Sequence, residues 1–123
     1  MILRSDREPF EYIAPCDRDK HGKPVDGATV FVLRPDSKAT QKLLTAYLRA
    51  LPEGESMEIF EAARLAIQEI RNPGPGSEAI EFGKDGVLTE ESLWLIDADA
   101  RREIGLKFSE ITGLTSADRK NSE

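Results

Sequence analysis

Three stretches of the chain bring together residue types that could do chemistry. The first is Asp17-Arg18-Asp19-Lys20-His21-Gly22, whose spaced oxygen donors and glycine echo the opening of an EF-hand calcium loop. That signature needs a bidentate Glu at its twelfth position and an Asp or Asn at its fifth. Here those positions are Ala28 and His21, and no helix is expected on either side. A solvated loop is the better reading. The second is Cys16 with His21, the only cysteine and the only histidine. A structural zinc site needs four ligands, and the same scarcity argues against a Cys–His nucleophile pair, which leaves a loop His and a semi-buried Cys. The third is the cluster Glu90, Glu91, Asp97, Asp99 and Glu103. Paired carboxylates do acid–base work where their surroundings drive their pKa values apart. These fall at helix starts, where the macrodipole itself favours negative charge, so capping accounts for them. Asn72-Pro73-Gly74-Pro75-Gly76 is glycine-rich but lacks the Lys-Ser/Thr of a phosphate loop. No catalytic residue, cofactor site or metal site is expected, and the chain does not read as an enzyme.

The elements that position these residues follow from patterning. Phe10, Tyr12 and Ala14 alternate in FEYIAP (10–15), a strand stopped by Pro15. ATVFVLRP (28–35) is the strongest strand signal and is apolar on both faces, which predicts burial on both sides. The two are expected to pair antiparallel across the polar loop 16–27. Asp36 or Ser37 then caps a helix over 37–51 carrying Leu43, Leu44, Tyr47, Leu48 and Leu51. After Pro52-Glu53-Gly54, Ser56 can cap a second helix with Phe60, Ala63, Ile67 and Ile70 at helical spacing, widened by Ile59 and Ala66. Together they predict an antiparallel αα-hairpin.

Beyond the Pro-Gly break, EAIEFG (78–83) is a short strand or a covering loop, turned by Lys84-Asp85-Gly86. Thr89 caps a short helical turn holding Leu93, Trp94 and Ile96. Asp97 caps a last helix with Ile104, Phe108 and Ile111 as its buried stripe and Gly113 as its C-cap. The expected architecture is a single predominantly helical α+β domain over 1–114. In it an N-terminal antiparallel β-hairpin packs on about three α-helices. Residues 115–123 are a polar, disordered C-terminal tail, and residues 1–8 are polar and frayed.

Bulk properties narrow the function. At 123 residues the chain has room for one domain. A net charge of −6 leaves no excess of Lys and Arg to release counterions from phosphate, so nucleic-acid binding is disfavoured. One cysteine allows no intrachain disulfide. The N-terminus has no signal-peptide core, and the longest apolar run, Leu93-Trp94-Leu95-Ile96, is far below membrane-spanning length. A cytosolic protein is expected. Three amphipathic helices and one hairpin do not cover every apolar face in a chain this short. The remainder would be a partner groove or a homo-oligomer interface.

The residues also resemble a known family. FEYIAPCDRD (10–19) followed by ATVFVLRPDS (28–37) is similar to the opening of the tail assembly chaperones encoded in tailed-bacteriophage and prophage tail modules. In both, an Asp-Arg-Asp turn leads into a Thr-Val-Phe-x-Leu-Arg-Pro strand. A helical pair follows. IEFGKDGVLTEESL (80–93) resembles the acidic segment before that family's last helices, and EIGLKFSEITGLTSADRKNS (103–122) its final helix, Leu-Thr step and tail. One departure is Pro73-Gly74-Pro75, where members often carry an aromatic residue.

The resemblance implies a non-enzymatic tail morphogenesis factor in the bacterial host cytoplasm. Its partners would be the tape-measure protein, kept soluble, and tail-tube subunits. It also implies a longer product made by frameshifting. In physical form this is helix-in-groove binding on faces around Leu44, Tyr47, Leu48, Phe60, Trp94 and Phe108. Two rivals stand beside it: a head–tail connector or other component retained in the virion, and an acidic inhibitor of a host nucleic-acid enzyme that mimics phosphates with its carboxylates.

Overall fold

The run Val30–Leu33 forms the central strand, β2, and the rest of the sheet assembles on both of its edges. A computed structural model describes residues 9–74 and 79–114, with the strand residues Arg119 and Lys120. In chain order the elements are β1 (Phe10–Tyr12), a 3-10 turn (Pro15–Asp17), β2, α1 (Lys38–Arg49), β3 (Met57–Glu58) and α2 (Ile59–Ala66). They continue with β4 (Ile67–Arg71), α3 (Glu90–Leu93), α4 (Ala98–Thr112) and β5 (Arg119–Lys120). The fold is α+β, as expected.

β1 and β4 both lie antiparallel to β2, giving the order β1-β2-β4. Phe31 stands opposite Tyr12 on one side and Ile70 on the other; Leu33 stands opposite Phe10 and Ile67. That face packs on the helices. On the outer face Val32 sits between Glu11 and Glu69, and Arg71 bonds both carboxylates, at 2.6 and 3.2 Å. Phe31, Val32 and Leu33 are all buried, so the expected two-sided burial holds.

The second helix is the main correction. Its apolar spacing continues to Ile70, yet the helix ends at Ala66 and Ile67–Arg71 becomes β4. The open edge of β2 offers a ladder that outweighs about one more turn of helix, and β-branched Ile67 and Ile70 suit it. The Arg34 amide donates to the Ala66 carbonyl at 2.8 Å where helix becomes strand. Asn72, at φ 51, and Gly74, at φ 80, turn the chain away. The N-cap also moves, from Ser56 to Glu58, which caps through no side-chain bond.

The αα-hairpin is likewise not formed. α2 packs closely on α4 instead of α1. The seam depends on Gly105, where an added Cβ would stand 2.3 Å from the Ile59 carbonyl oxygen. α1 is held through buried Leu44 and Thr40, by Gln41 donating to the Thr112 carbonyl at 3.0 Å, and by Tyr47.

The later elements follow their signals. Thr89 caps α3 through the Ser92 amide and Asp97 caps α4 through the Asp99 amide, while Gly113 ends α4 at φ 75. Ile104 and Phe108 are fully buried and Ile111 partly so. Segment 80–88 is a tight turn with a bridge between Phe82 and Leu88, closed by the Gly83 amide on the Val87 carbonyl at 2.8 Å. Glu78, the first residue of the expected strand, lies outside the described residues, as do residues 1–8. Of the expected disordered tail, Arg119–Lys120 instead pairs in parallel with Met57–Glu58; the rest lies outside the described residues. Among the described residues no helix is long and apolar enough to cross a membrane.

Candidate protein-binding surface

Leu93-Trp94-Leu95-Ile96 is confined between two capped helices, and four consecutive apolar residues cannot all point inward over one turn. Leu93 and Ile96 enter the core; Trp94 and Leu95 are left 53% and 57% exposed. Single exposed apolar residues are ordinary, but an adjoining Trp–Leu pair beside another ring forms a patch. That ring is Phe60, in the first turn of α2, which meets Trp94 edge-on with centroids 5.8 Å apart and planes at 71°. Such pairs contribute about 0.5–1.5 kcal/mol beyond the area they bury.

Arg101, one turn into α4, completes the cluster. Its guanidinium carbon lies 4.3 Å from the Trp94 centroid and 5.1 Å from that of Phe60. Nη1 donates to the Ile96 carbonyl at 2.6 Å. Nε is buried with no acceptor among the described residues. An unanswered buried donor costs about 1–3 kcal/mol, of the same order as what the two cation–π contacts return. Leu95 also lines a cleft of about 160 Å³ together with Phe31, Ile70, Ile80, Ala100 and the exposed Cys16.

The six residues expected to contact a partner separate into three groups. Phe60 and Trp94 are brought together on this surface. Leu44 and Phe108 are sealed in the core and present no face to a partner in this fold. Tyr47 and Leu48 are half-buried on α1. Tyr47 is committed internally: its hydroxyl donates to Asp85 at 2.9 Å, and its ring lies 5.5 Å from the Arg64 guanidinium. Burial, then the bond to Asp85, raises the Tyr47 phenol, while the Val87 amide and then that phenol lower the Asp85 carboxyl. Arg64 is in turn bonded to Glu61, which raises its pKa further.

Sequence reasoning missed Leu95 and Arg101. The signal for Leu95 was present, since an unbroken run of four apolar residues between two caps exceeds what one helical turn buries. Nothing local marks Arg101, whose role arises from α2 and α4 packing together.

In the loop that could have held a metal, Asp19 is occupied with the backbone. Asp19 Oδ1 accepts from the amides of His21 at 2.8 Å and Lys23 at 3.0 Å. Among the described residues no three His, Cys, Asp or Glu side chains gather where they could hold a metal ion. Compared with protein-family models, with curated proteins and with solved structures, the chain matches none.

Proposed function

We propose that this chain is a non-enzymatic protein-binding factor that receives an apolar segment of a partner on the Phe60–Trp94–Leu95 face. The observation that carries this is the exposure of Trp94 and Leu95 side by side, against the Phe60 ring and a half-buried arginine. Trp and Arg are the residue types on which binding energy concentrates at protein interfaces. The face lies on helix ends, which suits a partner helix or extended segment. The resemblance of the sequence to tail assembly chaperones supplies the client: a tape-measure protein held in the host cytoplasm while tail-tube subunits are recruited.

Co-expression with the tape-measure and tail-tube proteins of the same genome tests this. A soluble client that co-purifies with the wild-type chain and is lost with Trp94→Ala supports the reading. A client that stays insoluble and alone removes the chaperone role. Finding the chain in finished particles would make it a virion component; inhibition of a host nucleic-acid enzyme would favour the acidic-mimic alternative.

A further inference from the structure

The arginine within the patch specifies more about a partner than the apolar rings do. Three other cations lie on aromatic rings. Arg64, over Tyr47, is paired with Glu61; Lys107, 4.6 Å from the Phe10 centroid, has Glu110 at 3.6 Å; Arg18, over Tyr12, gives its Nε to the Ile13 carbonyl at 2.7 Å. Among the described residues Arg101, like Arg18, has no carboxylate within ion-pair reach, and unlike that of Arg18 its Nε has no acceptor. Phe60 and Trp94 both flank its guanidinium, Nε is buried and Nη1 already spends one donor on Ile96, so a ligand meets the remaining Nη hydrogens. Planar, in-plane approach to a guanidinium is the geometry a carboxylate satisfies.

Resting on the binding reading above, we infer that the partner segment sets one Asp or Glu carboxylate on Arg101, with apolar residues beside it on Trp94 and Leu95. Glu90, Glu91, Asp97 and Asp99 are exposed in the two adjoining helix starts. They repel a dense anion such as a nucleic-acid backbone or an acidic run, which leaves a lone carboxylate in an apolar setting as the matching charge. The low-dielectric flanks of the rings strengthen that pairing relative to one in open water.

The test is selection of a random-peptide display library on the full-length chain. Wild type should enrich apolar or aromatic peptides carrying one acidic residue at a fixed offset, and Arg101→Met should keep the apolar preference and lose the acid. The chain has a single tryptophan, so a synthetic copy of the winning peptide can be titrated by Trp94 emission. Arg101→Met should bind it roughly tenfold more weakly or worse, with Arg101→Lys between. Should Arg101→Met fail to fold, the amide counterpart of the peptide on wild type gives the same answer and should bind as weakly. Apolar peptides with no acidic position would overturn the inference while leaving the binding face intact. No enriched peptide would sink both. Self-association abolished by Trp94→Ala would assign the face to a second copy and overturn the inference.

Discussion

Two surfaces of this molecule are built from the same ingredients and finished differently. At the junction of β1 and α4, Lys107 lies on Phe10, exposed Leu106 stands beside them, and Glu110 answers the lysine. Below, the Tyr12 hydroxyl is tied to Glu103 and Arg18 covers the Tyr12 ring. At the junction of α2, α3 and α4, Arg101 lies against both Phe60 and Trp94, and no carboxylate answers it among the described residues. Apolar exposure alone does not separate the two. What separates them is the cation on the exposed ring: Lys107 already has a carboxylate, which closes the first surface, and Arg101 has none among the described residues, which leaves the second open.

Substitutions can break or sharpen this contrast. The largest effect is expected from Phe108→Ala. Phe108 is fully buried in the core from α4, and truncation should cost about 3–5 kcal/mol by chemical denaturation. A loss below about 1 kcal/mol would return Phe108 to the candidate contacts. Gly105→Ala should come next, at roughly 3 kcal/mol, because its Cβ must displace the Ile59 backbone. It opens the α2–α4 seam and moves Phe60 from Trp94, so it should shift tryptophan emission while leaving the β1–α4 surface in place.

A third test addresses the closed surface by pH. Burial first, and the bond to Glu103 second, hold the Tyr12 phenol well above its ordinary value. A group with its folded pKa raised contributes stability that is fully present below its unfolded pKa, about 10 for tyrosine, and lost above it. Thermal stability should therefore fall above roughly pH 10, and Tyr12→Phe should flatten that fall without affecting binding at the Trp94 face. The cap variant Asp97→Ala should cost about 1 kcal/mol, since its carboxylate accepts the Asp99 amide at 3.2 Å. Smallest of all, Lys107→Ala should change stability by under about 0.5 kcal/mol and leave partner binding untouched. Comparable losses of binding from Lys107→Ala and Arg101→Met would erase the distinction between the two surfaces.

What could be read from the sequence divides along the same line. Local chemistry was legible: Thr89, Asp97 and Gly113 lie where their capping roles demand, and the β2 run is buried on both faces. Ile67 and Ile70 misled because their spacing suits a helix equally well, and only the free edge of β2, more than thirty residues away, decides for a strand. The surface was half legible. Phe60 and Trp94 stood out as large aromatics on amphipathic stretches, but Leu44 and Phe108 have the same local pattern and lie in the core. Which member of an apolar stripe faces water depends on the partner helix, and α2 chose α4 through a glycine no periodicity marks. Arg101 could not be found locally, since its two rings arrive from different elements.

The abrupt change from α2 to β4 has a consequence for motion. Ala66 ends the helix and Ile67 begins the strand, so no slack separates Phe60 from the sheet. The joint is fastened by Arg34, whose amide holds the Ala66 carbonyl and whose guanidinium holds those of Leu65, at 3.0 Å, and Gly86, at 2.7 Å. Eight helical residues span only about 12 Å. A ligand that steadies Phe60 therefore also steadies the β2–β4 ladder, and the amides of Ile67–Arg71 should exchange with deuterium more slowly in the complex than in the free chain.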